Sequence, residues 1–306
     1  MRIFKESAGE KIALPDEVRG TSLALGYFDG VHRGHQDVVN AAADMARENG
    51  LELAVFTFAL GQKPGTGGML QTEEQRAGAL SALGVQFCFQ PSFDSFRELE
   101  AECFFREVLV EKYRARALCC GDDFVFGKGR GGNVALLRIL CKQYGLCLNV
   151  VSMEQYKGKD ISSRRIRAAL LAGEIEEVNA MLGRPYELAL PVQHGQKLGS
   201  SLGFPTINQV FPPGMLSPGQ GVYITQTVVE GKAWASVTGY GSRPTVAGQG
   251  ETCETFIPGF AGDLYNQEVR VRFHKKIADI RRFETMEKLA AAVQEYARMA
   301  AEHFEE

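Results

Sequence analysis

Ten residues, Gly26-Tyr27-Phe28-Asp29-Gly30-Val31-His32-Arg33-Gly34-His35, place two of the chain's five histidines inside one glycine-rich turn. They follow the short apolar run Leu23-Ala24-Leu25 and lead into a helical pattern that continues to Gly50. Imidazoles at i and i+3 lie on one side of a first helical turn, where both can donate to phosphate oxygens. Helix-terminal N–H groups and the positive end of the helix dipole pull an anion to the same place. Gly26, Gly30 and Gly34 let the backbone come close, and Phe28 and Asp29 complete the candidate set. The chemistry is polyphosphate binding.

A second stretch, Gly195 to Asn208, is the other candidate. Thr206 and Asn208 put a hydroxyl and an amide on the same side of an extended segment. Such a pair suits Mg²⁺, which takes one or two protein oxygens together with phosphates and water. Gly195, Gly199 and Gly203 space a loop that can lie over the phosphates, and Phe204-Pro205 leads into the threonine. Glu254, in Cys253-Glu254-Thr255-Phe256, is the natural third member of this site.

These residues need elements to hold them. From residue 22 to about 183 the pattern alternates strand and helix, with apolar strands predicted at 53–58, 85–89, 117–120 and 146–151. Thr72-Glu73-Glu74-Gln75 is a capping box, and Gly84 closes the helix it starts. One helix is predicted over 162–182, ended by Gly183 and Pro185. Short non-alternating strands between helices imply a parallel sheet covered on both faces. The period then changes to two. Val222–Val229 and Lys232–Thr238 read as a hairpin turning at Glu230-Gly231, and Val269–His274 as a strand with Arg270, Arg272 and His274 facing outward. Hairpins without helices between them imply a small antiparallel barrel. An amphipathic helix with Met286, Leu289, Val293, Tyr296 and Ala300 on one stripe ends the chain. The expected domains are 1–184 and 185–306.

A chain of 306 residues, 45% apolar, is long enough for two cores. Its net charge of −3 provides no basic field for nucleic acid or an anionic membrane. The start, MRIFKESAGEK, has no apolar signal region, and no apolar run approaches the ~18 residues of a membrane span. The seven cysteines lack framework or zinc spacing, and most sit in apolar runs. A soluble cytoplasmic protein with small-molecule partners is expected, its oligomeric state left open.

The turn at His32 and His35 resembles the HxGH signature of nucleotidyl transferases. Further motifs follow in order: GDDFVFGKGRGG (Gly121–Gly132), ISSRRIR (Ile161–Arg167), LGRPY (Leu182–Tyr186) and LGFPTIN (Leu202–Asn208). RPTV (Arg243–Val246), ETF with GFAGDLY (Glu254–Tyr265) and VRVRFHKKI (Val269–Ile277) complete them. Together they resemble the prokaryotic bifunctional riboflavin kinase/FAD synthetases over almost the whole chain. The resemblance implies a doubly wound, Rossmann-like α/β nucleotidyltransferase domain followed by a small antiparallel β-barrel domain with a C-terminal helix. It implies phosphorylation of riboflavin by ATP in the second domain and transfer of AMP to FMN, with loss of pyrophosphate, in the first. Mg²⁺ on Thr206 and Asn208 would serve the kinase, with Glu254 accepting the hydroxyl proton. His32 and His35, their protonated forms favoured by the triphosphate, would stabilise charge on the phosphates. Ser162, Ser163 and Arg167 match a second phosphate-binding element. Asp123 matches a position beside the nucleotide or flavin.

The chain departs from the family's pattern in places. Thr57-Phe58 continues as Ala59-Leu60-Gly61-Gln62-Lys63-Pro64 where a PHP turn is usual, and Arg164, Ser200, Phe256, Ala278 and Ile280 replace other customary residues. The lost turn motivates an alternative, a kinase whose first domain binds nucleotide or flavin without catalysis. Gly127-Lys128-Gly129-Arg130-Gly131-Gly132 satisfies GxGxxG with Glu154 beyond it. It comes late in the sheet and behind two aspartates, against a dehydrogenase. Five residues rather than four separate Gly121 from Gly127, against a P-loop.

Overall fold

The computed structural model describes residues 1–6, 14–15, 18–61, 67–195, 203–241 and 252–305. The chain forms two compact units, Met1–Ser163 and Arg164–Glu306.

In the first unit, β1 (Arg2–Glu6), β2 (Thr21–Leu25), α1 (Arg33–Asn49), β3 (Glu52–Phe56), α2 (Glu73–Ala82) and β4 (Phe87–Pro91) come first. α3 (Ala101–Cys103) runs into a π-helix, Phe104–Lys112. Then follow β5 (Ala115–Gly121), the two-residue strands β6 (Val125–Phe126) and β7 (Gly132–Asn133), α4 (Val134–Tyr144) and β8 (Cys147–Val151). A small ladder of β9 (Gln155–Tyr156) and β10 (Lys159–Asp160) ends the unit. The main sheet has the order β1-β4-β3-β2-β5-β8, every pair parallel. Alternate strand residues enter two separate cores. Leu23, Leu25, Phe56, Phe89 and Leu118 pack with the π-helix and α4 on one face. Ala24, Val55, Cys88 and Cys119 pack with α1 and α2 on the other. Burial on both faces explains the non-alternating apolar strands. The chain leaves β2 for β3 on one side and returns as β5 on the other. The carboxyl ends of β2 and β5 therefore flank a topological switch point, where such sheets bind ligands.

The buried thiols behave as hydrophobes: burial pushes Cys88 up to about 11 and Cys119 up to about 12. β1 was not predicted. It is a sheet edge with largely exposed residues, held by parallel pairing to β4 and by Phe4 against Phe87 and Phe89.

The predicted helix 162–182 is two helices, α5 (Ser163–Ala172) and α6 (Ile175–Leu182), broken at Gly173 with φ +75°. A second glycine explains the break. A Cβ on Gly219 would lie 2.7 Å from the nitrogen of Gly173, and Gly219 N donates to Leu170 O at 2.8 Å. The chain entering the barrel thus crosses the helix backbone where neither side can carry a side chain.

The strands of the second unit are β11 (Tyr186–Pro191), β12 (Thr206–Gln209), β13 (Gly221–Val229), β14 (Lys232–Gly241), β15 (Thr252–Phe256) and β16 (Glu268–Ala278), and α7 (Met286–Glu305) follows. The order β11-β16-β13-β14-β15-β12 is antiparallel throughout. The sheet curls until Gln193, just past β11, bridges Asn208 on β12. Its interior is partly polar. Thr227, Ser236, Thr225, Thr238 and Thr255 form a chain of hydroxyl contacts of 2.8–2.9 Å, all but dry.

α7 covers the outer face at Ile224 and Val237 through Ala300, Tyr296, Met299 and Phe304. Met286, expected on this stripe, is 46% exposed because it begins the helix beyond the contact. His274, expected to face outward as part of a basic face, is half-buried under the end of α7. Its ring is 4.8 Å from that of Phe304 and 5.8 Å from that of His303. Burial, with smaller contributions from His303 and Arg272, holds its pKa below the usual 6.5. The charged form is thus less favourable in the fold than in the unfolded chain. Stability is fully present above the unfolded pKa and declines as pH falls below it. The melting temperature of the second unit is expected to fall between about pH 7.5 and about pH 5.5, and to fall less in His274→Phe. Equal drops in the two proteins would contradict this.

Candidate active sites

The first site grows from the turn between β2 and α1. His32 is the N-cap of α1, and its Nδ1 accepts a hydrogen bond from the backbone N–H of His35 at 3.3 Å. That bond fixes the neutral tautomer. Nδ1 is the acceptor, so Nε2 carries the proton. The His35 ring stacks on that of His32, centroids 3.6 Å apart and 16° from parallel, and Phe28 closes on it edge-on at 5.2 Å. The two predicted histidines are thus brought together as one surface.

The turn beneath them is bent out of ordinary backbone. Phe28 has φ 52° and Val31 φ 39°, conformations that cost of order 1–3 kcal/mol each for side-chain-bearing residues. Packing and hydrogen bonds hold them. Phe28 is fully buried, its carbonyl accepts from Gln71 Nε2 at 3.1 Å, and Val31 O accepts from Gln36 Nε2 at 2.9 Å. Asp29, predicted to contact ligand, is 1% exposed and accepts from Leu70 N at 3.0 Å, bracing the turn from within. Gly26 has an internal reason too, since a Cβ there would lie 2.9 Å from the Phe28 ring. Gly30 has φ 86°. Gly34 is different: a Cβ there would make only ordinary contact with His32, at 3.6 Å.

Ser163, at the start of α5, donates to Asp29 O at 2.9 Å, so the second predicted phosphate element meets the first. Ser162 precedes it, and Arg167, one turn along α5, falls in the second unit. Neither α1 nor α5 has an acid in its first turn, whereas α2 has Glu73 and Glu74. Neither helix end therefore carries an acid of its own. Arg33 pairs with Glu154, beyond β8, across the same edge of the sheet. Asp123 is exposed just past the end of β5.

Gly127 and Gly132 serve packing. A Cβ on either would strike Ala101, at 2.6 Å from its Cα for Gly127 and 2.9 Å from its Cβ for Gly132. They let the β6–β7 hairpin close over the start of α3, so the GxGxxG match has a structural cause.

The second site lies on the outer face of the curled sheet. In register, Asn208 on β12 stands opposite Glu254 on β15, and Thr206 opposite Phe256. Opposed residues share a face, and so do residues two apart on a strand. Thr206, Asn208 and Glu254 therefore share one face, while Gln209, Cys253 and Thr255 point into the dry interior. On the other flank Glu254 pairs with Gly239 of β14, whose Cβ would meet nothing within 4 Å among the described residues. Gly195 packs directly on the Asn208 amide, where a Cβ would lie 2.6 Å from Cγ, so only glycine fits under that side chain. His194, its neighbour, stacks on Tyr265 of the GFAGDLY segment at 4.0 Å. Gly203 has φ +84° and opens the approach to exposed Pro205 and half-buried Thr206. Gly199, Ser200, Gln62–Pro64 and Arg243–Val246 lie outside the described residues.

Sequence reasoning missed Arg76, which is fully buried on α2 and ties the ends of β2 and β3 together. A signal was present. Arg76 lies four residues before the buried Leu80, and an arginine on the buried stripe of a helix calls for a partner.

A profile described as FAD synthetase matches residues 14–165, and one described as riboflavin kinase matches residues 182–304. A bifunctional riboflavin kinase/FMN adenylyltransferase from Pseudomonas fluorescens is 34% identical over 92% of each chain. The chain belongs to this bifunctional family. Relatives of the same description from Escherichia coli K12 and Bacillus subtilis are 32% and 30% identical, covering 93% and 95% of each chain. A solved structure described as a macrolide-efflux protein from Streptococcus pneumoniae superposes with a TM-score of 0.85 at 26% identity, covering 97% of this chain and 98% of that one. No helix among the described residues is long and apolar enough to cross a membrane. The chain is a transferase with both a kinase and an adenylyltransferase domain, and the kinase-only alternative is not supported.

Proposed function

We propose a division of labour in which the histidine turn transfers AMP to FMN and the outer face of the barrel phosphorylates riboflavin. The single observation that carries it is the pairing of Asn208 with Glu254, which puts a neutral oxygen donor and a carboxylate side by side on the kinase domain.

In the barrel, the Glu254 carboxylate accepts the proton of the ribityl 5′-hydroxyl as that oxygen attacks the γ-phosphorus of ATP, giving FMN and ADP. Gly239 leaves room for the hydroxyl beside it. Thr206 Oγ1 and Asn208 Oδ1 are hard, neutral oxygens on one face and fit Mg²⁺, with Gly195 holding the amide in place. Bound there, the ion neutralises charge on the β- and γ-phosphates.

In the first unit, an FMN phosphate oxygen attacks the α-phosphorus, a P–O bond to the β-phosphate breaks and pyrophosphate leaves. The nucleophile is already an anion, so no base is needed. His32 donates through Nε2–H, and His35 is held against it by stacking. The end of α1, with Ser162 and Ser163, completes a positive rim for the developing charge. Asp123, past β5, is placed for the nucleoside or flavin side.

We set the functional boundary near residue 184, after α5 and α6, although both helices pack with the barrel, α5 through Leu170 O on Gly219 N and α6 through Asn179 on Phe273 and Tyr186. The net charge of −3 gives no attraction to nucleic acid, and with seven free thiols we place the enzyme in the cytoplasm. Incubation with riboflavin, ATP and Mg²⁺, followed by separation of the flavins, should show FMN rising first and FAD after it. FMN alone, even at high FMN and ATP, would reject the assignment.

A further inference from the structure

Arg76 has no solvent exposure, so it cannot touch a substrate, yet it reaches both strand ends that form the wall of the first crevice. Its Nη1 donates to Tyr27 O at 3.1 Å, Phe58 O at 2.8 Å and Thr57 Oγ1 at 3.3 Å. Its Nη2 donates to Glu73 Oε2 at 2.6 Å, and the other oxygen of Glu73 accepts from Leu60 N at 2.6 Å. Tyr27 adds a further tie, its hydroxyl accepting from Gly61 N at 2.9 Å, while Thr57 Oγ1 donates to Tyr27 O at 2.9 Å. Tyr27 and Phe58 both lie two residues beyond the last sheet pair of their strands, Leu25 with Phe56. One fork and one carboxylate therefore fasten Tyr27 to the Phe58–Gly61 segment.

Burying a guanidinium is costly, and an apolar residue of similar volume would pack as well. What only the planar fork supplies is several directed donors at once. Their effect passes along a short path. Tyr27 precedes Phe28, whose φ of 52° must be held from outside, and the Phe28 ring bears on His35, which stacks on His32. We propose that Arg76 is a positioning residue for adenylyl transfer: with Glu73 it locks the exit of β2 and so sets where the two imidazoles meet the phosphates. This rests on the proposed use of the histidine turn and adds the group that aims it.

The test compares Arg76→Lys with the parent in the full chain. A lysine can reach one or two of the carbonyls but cannot also fork to Glu73. The kcat for FAD formation from FMN and ATP is expected to fall about tenfold to about a hundredfold, with KM for both substrates held within about twofold. Riboflavin phosphorylation, carried by the other unit, serves as the internal control and is expected to stay unchanged. Arg76→Met should be more severe than Arg76→Lys. An unchanged kcat in folded Arg76→Lys, or a loss expressed in KM alone, overturns the proposal. Should the first unit fail to fold in Arg76→Lys, Tyr27→Phe decides, because it removes the hydroxyl's ties to Ala59 and Gly61 and leaves the ring in place. A fall in kcat of about threefold with an unchanged melting temperature supports the proposal, and no change overturns it. If His32→Ala retains FAD synthesis, the reading of the turn itself has failed. If His32→Ala loses it while Arg76→Lys does not, only the role of Arg76 has.

Discussion

His32→Ala is expected to lower FAD formation from FMN and ATP by about 10²–10³-fold while leaving riboflavin phosphorylation intact. Two losses combine in that variant. The proposed Nε2–H donor to the phosphates disappears, and so does the Nδ1 acceptor that caps α1, the latter worth about 1 kcal/mol of helix stability. His32→Asn separates them, because asparagine is a good N-cap but cannot place a donor where Nε2 stood. Its melting temperature should match the parent while its adenylyl transfer remains strongly impaired. Full activity in His32→Asn would mean that the ring's contribution is capping alone. Loss of both reactions in a folded His32→Ala protein would remove the two-site account.

Glu254→Gln should do the reverse. Glutamine keeps the volume and the place opposite Asn208 and Gly239 but cannot accept the proton of the attacking hydroxyl. Phosphorylation of riboflavin is expected to fall about 10²–10⁴-fold, with FAD still made when FMN is supplied. The measurement is a pair of flavin separations, one started from riboflavin and one from FMN. If Glu254→Gln phosphorylates at the parental rate, the proton has another acceptor and the carboxylate is a bystander.

The candidate residues of both sites stand out in the sequence because their types and spacing are unusual: two imidazoles in a glycine turn, and a threonine and an asparagine two apart before a glutamate. The structure brings His32 beside His35 and Asn208 opposite Glu254. Much of the fold was legible for a related reason, since the change from helical to twofold period marks where a parallel sheet gives way to hairpins. What stayed hidden depends on contacts distant in sequence. Gly173 reads as a tolerable helical glycine until the backbone at Gly219 is seen to cross it. β1 is a short strand, exposed at Arg2, Ile3 and Lys5, that forms because β4 offers an edge. Arg76 sits on α2 like any helical arginine, and its partners are the ends of β2 and β3, 49 and 18 residues away. His274 alternates correctly for an outward-facing residue, and only the return of α7 from the end of the chain covers it.

The hydroxyls lining the inside of the curled sheet carry a direction as well as a location. Thr227, Ser236, Thr225, Thr238 and Thr255 each have a single proton to give, so no hydroxyl can donate in both of its contacts and each contact draws its donor from one side or the other. The row spans β13, β14 and β15, and its last member is the immediate neighbour of Glu254. The strand that would present the carboxylate in the proposed kinase step is therefore tied, through its opposite side, to this shared row of protons. A methyl group in place of any middle oxygen would cut that arrangement in two and leave a donor or an acceptor stranded where no solvent can answer it.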